Sequence, residues 1–222
     1  MRFSASILGA LSVAHLAAAA PIWGALIGGA ASIVLPLLPS KKKEEPQPDT
    51  QPDDTLSTPQ YFSLSSLKSG FAFDRASLSA SSSNLYTNLL SQGASCENGD
   101  DPGFATLTID PDRVLYLYTG SGPAQQFYVD RSKMGQGKLG YTTGDQSPPG
   151  NAESQGWELV DGILTFDGAG LIACPSNTIE DAWTVWVSSG NKEPGGNAGC
   201  TTFDARANYL AEGDLSLCTY TE

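Results

Sequence analysis

Apolar and aromatic side chains alternate along residues 114–141 with the two-residue period of a β-strand. The run Val114 to Tyr118 alternates tyrosine with leucine, and Phe127 to Val129 shows the same alternation beyond a Gly-Ser-Gly-Pro turn. Side chains two residues apart share one face of a strand, whereas a helix needs a period of about 3.6 residues. The pattern therefore predicts two half-buried strands flanking a turn.

Similar short runs recur to the end of the chain, and Gly, Pro, Asn and Asp punctuate nearly every gap. The predicted strands cover residues 62–67, 71–73, 78–80, 105–109, 114–118, 127–129, 139–141, 157–160, 163–166, 171–174, 183–187 and 215–220. Only residues 84–90 and 202–210 are candidates for a short helix, because they lack strict alternation. The fold class predicted is all-β, in a single antiparallel domain.

A weak internal repeat favours a closed barrel over a β-sandwich. Aromatic-headed strands begin at Phe62, Phe104 and Trp157, at intervals of roughly 40 to 55 residues, and each is followed by a polar turn and another short strand. This is the size of one unit in a three-fold barrel, so a β-trefoil-like barrel is the favoured architecture.

Residues 1–19 have the character of a signal peptide, with one arginine, an apolar run and small residues before the cleavage site. His15 is the one histidine in the chain and would be removed with this peptide. Without an imidazole, Ser-His-Asp and Cys-His catalysis and histidine-containing metal sites are excluded. A pair of carboxylates, as in glycoside hydrolysis, is the catalytic option that survives.

Two further segments precede the predicted domain. Residues 20–40 are apolar and include 21–39, which approach the length of a membrane span; Pro36 and Pro39 interrupt the end of the run. We interpret the segment as a propeptide or a tether. Residues 41–60 form an acidic, proline-rich linker with too few apolar side chains to fold. The all-β domain is predicted to cover residues 61–222.

The four cysteines, Cys96, Cys174, Cys200 and Cys218, all follow the signal peptide. An even number in an oxidising compartment predicts two disulfides, for which three pairings exist. The pairing we favour joins Cys174 to Cys200 and Cys96 to Cys218. No Cys-x-x-Cys spacing indicates a metal site.

The chain is acidic, with 12 basic and 24 acidic side chains. The predicted domain retains 8 basic and 19 acidic side chains, a net charge of 8 − 19 = −11. A nucleic-acid partner is excluded by the lack of a basic stripe, since phosphate binding requires one.

The run from Asp130 to Tyr141, DRSKMGQGKLGY, resembles the block that marks fungal cell wall proteins of the PhiA type. The likeness continues through Gly156-Trp157, Leu171 to Pro175 and Trp183 to Val187. It implies a secreted, non-enzymatic wall protein that acts in phialide and conidium development. No catalytic residue and no cofactor follows from it.

The candidate site residues are aromatic. Tyr116, Tyr118, Tyr128 and Tyr141 are candidate contacts for wall polysaccharide, although buried packing competes for any aromatic ring. The glycines at 135, 137 and 140 are followed by strand and not by a helix, which argues against phosphate binding.

Two other function classes remain as alternatives. A glycoside hydrolase would draw on the carboxylates Asp110, Asp112, Asp161, Asp167, Glu180 and Asp181, most of which lie in turn-like sequence. The other alternative is a secreted effector or antigen that binds a host protein.

Overall fold

The computed structural model describes residues 60–222, so the predicted signal peptide, apolar segment and nearly all of the linker lie outside the described residues. The described chain consists of short strands and two single-turn 3-10 helices. The strands are β1 Tyr61–Leu67, β2 Leu78–Ser81, β3 Asn84–Thr87, β4 Ser95–Cys96, β5 Leu107–Ile109, β6 Leu115–Leu117, β7 Gln125–Asp130, β8 Lys138–Thr143, β9 Trp157–Val160, β10 Ile163–Phe166, β11 Leu171–Pro175, β12 Trp183–Val187, β13 Thr201–Tyr209 and β14 Cys218–Thr219. The 3-10 turns are Pro194–Gly196 and Glu212–Asp214.

Eight antiparallel strands close into a barrel. Around the ring, hydrogen-bonded neighbours follow the order β1, β5, β6, β7, β8, β12, β11, β13 and back to β1. The hairpin β2–β3 extends the sheet from β12, and the hairpin β9–β10 extends it from β13. Strands β4 and β14 form a separate two-stranded sheet. The predicted all-β antiparallel barrel is confirmed.

The barrel interior is a packed core. Along β6 and β7, Leu115, Leu117, Phe127 and Val129 are buried, while the residues between them are half-buried on the outside. Trp157 is fully buried against Phe127 and Phe166, with ring centroids 6.5 and 4.9 Å away. Alternation along β6 and β7 thus separates a filled interior from an outer surface, as expected for a small barrel.

The three-fold, trefoil-like arrangement is not confirmed in detail. Phe62 lies in the barrel strand β1, Phe104 precedes β5 outside any strand, and Trp157 opens β9 in an appended hairpin. The three aromatic residues therefore hold structurally different positions. Their regular spacing in the sequence therefore does not correspond to three equivalent structural units.

Three local predictions were wrong. Residues 84–87 and 201–209, both within or overlapping the candidate helices, are strands β3 and β13. In β13 the inward positions after Phe203 are Ala205 and Ala207, which alternate with exposed polar residues. Alanine is too weakly apolar to mark a strand face in sequence, although it suits a crowded interior. Residues 71–73, predicted as a strand, form a turn.

Both favoured disulfides are confirmed. Cys96 pairs with Cys218 and joins β4 to β14, and Cys174 at β11 pairs with Cys200 just before β13. No cysteine among the described residues is free. The first bridge holds the carboxyl-terminal segment against the barrel.

A buried glutamine fixes the same carboxyl-terminal segment. Gln125 is completely buried; its amide nitrogen donates to the carbonyl oxygen of Tyr220 at 2.8 Å, and its amide oxygen accepts from the backbone N–H of Tyr220 at 2.9 Å. The Gln125 nitrogen also donates to the hydroxyl of Thr143 at 2.9 Å. The side chain therefore substitutes for a neighbouring strand at Tyr220.

We expect Gln125→Ala to lower the free energy of unfolding by about 2 to 4 kcal/mol, because it leaves the Tyr220 backbone groups buried without partners. Chemical denaturation would measure the loss. The control is Gln126→Ala, the next residue, which points to the outside and should stay within about 0.5 kcal/mol of the wild type. Equal losses for both variants would contradict this role for Gln125.

The burial of two tyrosines makes the folded state sensitive to high pH. Desolvation raises the pKa of Tyr220 to about 12 and raises that of Tyr141 as well. A phenol with an ordinary pKa near 10 in the unfolded chain then ionises more readily after unfolding. The contribution of these two phenols to the free energy of unfolding is fully present below about pH 10 and falls as the pH rises further. For Tyr220 alone the contribution lost by a pH above 12 is about 2 to 3 kcal/mol.

The measurement is a pH titration that follows phenolate absorbance and near-ultraviolet circular dichroism together. We expect the last phenols to ionise at the same pH at which the tertiary signal is lost. Their ionisation well below that pH, with the tertiary signal intact, would contradict the prediction.

Within residues 60–222 the structure contains no helix that is long and apolar enough to cross a membrane. The predicted tether at 21–39 lies outside this range.

Candidate functional site: a tyrosine face beside an open groove

Four tyrosines lie on the outer side of the barrel wall. Tyr61 is opposite Thr108 of β5, and Thr108 is opposite Tyr116 of β6, so the two tyrosines lie on one side of the sheet. Tyr118 follows Tyr116 by two residues, and Tyr128 lies on the same side of β7, since its neighbours Phe127 and Val129 face inward. All four are half-buried. We call Tyr61, Tyr116, Tyr118 and Tyr128 the tyrosine face.

Two of these rings pack against each other. The centroids of Tyr61 and Tyr118 are 4.2 Å apart, with the ring planes tilted by 40°. Burial raises the pKa of Tyr61, and the adjacent Tyr118 hydroxyl adds to the effect. The pair forms a broad aromatic surface on the outside of the barrel.

Tyr128 lies across the backbone of the neighbouring strand. A Cβ placed on Gly140 would be 2.6 Å from the Tyr128 hydroxyl oxygen and 2.7 Å from its ring carbon Cζ. Gly140 is directly opposite Tyr128 in the β7–β8 register. The missing side chain at 140 therefore makes room for the tyrosine ring.

Tyr141 does not belong to this face, and its prediction as a glycan contact is wrong. It is opposite the inward-facing Phe127, its side chain is 1% exposed, and its hydroxyl donates to the carbonyl oxygen of Thr221. The sequence could have indicated this burial, because Leu139 and Tyr141 are two residues apart on one side of β8 and Leu139 is a core residue. Tyr116, Tyr118 and Tyr128 are placed together as candidate contacts.

An open groove of about 590 Å³ adjoins the tyrosine face. Its floor is made where the segment after β8 crosses the barrel wall, with Gln155 bridged to Val114 and Glu153 bridged to Val129. The lining residues are Val114, Gln126, Ala152, Glu153, Ser154 and Gln155. Neither Tyr61 nor any of these groove residues was named as a site residue from the sequence, since long-range strand pairing and a long-range crossing bring them there.

One carboxylate lines the groove, and it is already paired. The Arg131 guanidinium donates to Glu153, with Nε 3.0 Å from Oε1, and also donates to Asp167 at 3.0 Å. The hydrogen bond from Arg131 holds the pKa of Glu153 below its ordinary value. The groove lining thus contains one carboxylate, Glu153, and not the two free carboxylates that glycoside hydrolysis needs.

The carboxylates named for a glycoside hydrolase do not converge on the groove. The Asp110 carboxylate accepts from the Val114 backbone N–H at 2.9 Å, which is a turn contact. Asp161, Asp167 and Asp181 hold left-handed turn conformations, with φ of 51°, 48° and 60°. None of the six lines the groove. These four aspartates therefore have the conformations and contacts of turn residues.

No group of three or more His, Cys, Asp and Glu side chains within residues 60–222 is arranged to hold a metal ion.

Comparison with known proteins decides the family. The sequence model of a family described as PhiA-like secreted protein matches residues 62–221, nearly the whole described domain. This chain belongs to that family. The predicted resemblance and the predicted secretion are thereby confirmed.

Several fungal relatives of the PhiA-like chain carry the name cell wall protein phiA. The relative from Emericella nidulans is 46% identical over 74% of this chain and 88% of its own length. The relative from Aspergillus niger is 42% identical over 77% and 90%, and that from Arthroderma benhamiae is 44% identical over 66% and 81%. No solved structure matches the chain.

The geometry explains the glycine-rich block that carries the likeness to PhiA proteins. A Cβ on Gly135 would be 2.1 Å from Cγ of Asp130, and one on Gly137 would be 1.9 Å from the carbonyl oxygen of Val187. Asp130 braces the turn by accepting from the Ser132 backbone N–H at 2.9 Å. The glycines therefore permit close backbone packing in this turn.

Proposed function

We propose that this protein is a non-enzymatic component of the fungal cell wall that acts in phialide and conidium development and holds wall polysaccharide through its tyrosine face. Its membership of a secreted family whose relatives are named cell wall proteins supports the location. The observation that carries the binding role is the set of four outward tyrosines on one side of the barrel wall, two of them with ring centroids 4.2 Å apart.

Aromatic rings offer an apolar face to the C–H surface of a sugar ring, and their hydroxyls hydrogen-bond at the edge. On the barrel the rings are held by strands whose opposite sides pack in the core, so little side-chain entropy is lost on binding. A pre-organised, partly apolar surface with a few polar groups is the usual character of a ligand site.

The closed barrel and the two disulfides suit a protein that must stay folded outside the cell. A closed barrel leaves few sheet edges for unwanted pairing, and two disulfides limit unfolding where no reducing system operates. The lack of an unpaired carboxylate pair in the groove agrees with a binding role and not with hydrolysis.

The test is co-sedimentation of the full secreted chain with insoluble chitin and with insoluble β-glucan. We expect binding to at least one polymer, and we expect Tyr61→Ala/Tyr118→Ala to weaken it about tenfold or more, since each lost ring contact is worth on the order of 1 kcal/mol. Tyr209→Ala is the matched control, because Tyr209 is 59% exposed at the end of β13 and does not belong to the tyrosine face.

Circular dichroism must show that the double variant is folded. A wild-type chain that stays in solution with both polymers would overturn the binding role, and so would a folded double variant that sediments like the wild type. The developmental role is tested by deleting the gene and counting phialides and conidia, where unchanged numbers would contradict it.

A further inference from the structure

We infer that the tyrosine face and the adjoining groove form one continuous track for an uncharged, extended polysaccharide. This inference rests on the proposed function and adds the chemical class of the ligand and a second set of contacts. Its parts are the four tyrosines and the six groove residues defined above.

The register of the barrel makes the track continuous. Val114, just before β6, and Tyr116 of β6 are two residues apart on one side of the extended chain, so a groove residue and a tyrosine are neighbours. Gln126 lines the groove, is opposite Tyr116, and lies two residues before Tyr128 on β7. A ligand that stacks on Tyr116 or Tyr128 therefore reaches the groove through Gln126.

The track is long enough for a polymer. The row Tyr61, Thr108, Tyr116 and Gln126 crosses β1, β5, β6 and β7. Three strand spacings amount to about 14 Å, before the groove is added. A single sugar would occupy only part of this row, whereas an extended chain can contact all of it.

The groove offers neutral hydrogen-bonding groups. The Gln126, Ser154 and Gln155 side chains supply amide and hydroxyl donors and acceptors. Glu153 is the sole ionisable residue of the six, and Arg131 occupies its carboxylate. These groups suit the hydroxyl or acetamido substituents of a neutral glycan.

The surrounding charge disfavours anionic glycans. The domain from residue 61 onward carries 8 basic and 19 acidic side chains, a net charge of 8 − 19 = −11. Burial raises the pKa of the Tyr116 hydroxyl, and the nearby carboxylates of Asp110 and Asp112 add to the rise. A polyanion would meet repulsion here and would find no free cation among the groove residues.

The experiment measures binding of the full secreted chain to insoluble chitin, insoluble β-glucan and, as the anionic probe, cross-linked polygalacturonate, at low and at physiological salt. We expect binding to a neutral polymer and at least about tenfold weaker binding to polygalacturonate, most clearly at low salt. Gln126→Ala/Gln155→Ala should weaken neutral binding about tenfold, as expected for the loss of two or more hydrogen bonds.

The control variant is Asn177→Ala. It removes an exposed amide just after β11, a strand on the opposite side of the ring from β6, and should bind like the wild type. Unfolding curves must show the groove variant to be folded.

Each outcome has a separate meaning. Equal or stronger binding to polygalacturonate would overturn the uncharged class and leave polysaccharide binding standing. Neutral binding that depends on Tyr61 and Tyr118 but is unchanged in the groove variant would overturn the continuous track. Failure to bind any of the three polymers would overturn both this inference and the proposed binding role.

Discussion

Gly137→Ala is expected to lower the free energy of unfolding by more than about 4 kcal/mol, at the extreme of what single substitutions do. A Cβ at this position would be 1.9 Å from the carbonyl oxygen of Val187, which is backbone and cannot swing away. The Val187 backbone N–H donates to the Gly137 carbonyl oxygen at 2.9 Å, so moving the two segments apart breaks the contact between β8 and β12. With φ at +92°, the residue is also in a conformation that side chains disfavour.

Gly168→Ala separates the two causes. Gly168 also has a positive φ, +75°, but a Cβ placed on it would have no other atom within 4 Å. This variant should lose only the stability that backbone strain removes, about 1 to 2 kcal/mol. Urea unfolding of both variants gives the comparison. If the two losses were equal, close packing at Gly137 would not be the reason for glycine there.

Replacing Cys96 and Cys218 together with alanine is expected to cost about 5 kcal/mol, against about 3.5 kcal/mol for Cys174 and Cys200, on the loop-entropy account of disulfides. The first bridge spans 122 residues and the second spans 26, and a longer closed loop restricts the unfolded chain more. The first bridge also holds β14 against β4 and keeps the Tyr220 backbone in reach of Gln125.

Thermal and urea unfolding of the two double variants would measure these losses. The variant lacking Cys96 and Cys218 should also show faster proteolysis of residues 216–222, because its carboxyl-terminal segment loses its covalent anchor. A larger loss for the Cys174 and Cys200 variant would mean that packing around that bridge outweighs loop length.

The strands that alternate strongly could be predicted from sequence. Residues 157–160, 163–166 and 183–187 are strands with the predicted bounds. Strand β13 was not predicted, because the inward residues after Phe203 are alanines, which are too weakly hydrophobic to mark a strand face. The local sequence shows how apolar each position is. The space available to a side chain at that position depends on strands that are distant in the sequence.

The candidate site divides in the same way. That tyrosines at 116, 118 and 128 lie near one another follows from strand pairing across a short turn, which sequence can indicate. Tyr61 joins them only because β1 pairs with β5, more than 40 residues later. The groove needs Gln155 and Glu153 to cross Val114 and Val129, and no local pattern predicts that crossing.

By itself the sequence determined the strand-rich class, the lack of an imidazole in the domain, the acidic charge and the even number of cysteines, because each depends on composition or on short spacing. Only the tertiary structure decided that eight strands close the ring, that Tyr141 turns inward while Tyr128 lies over Gly140, and that a groove opens beside the tyrosines. The reason is physical: these features arise from contacts between residues far apart in the chain, whose free energy depends on the packed barrel as a whole.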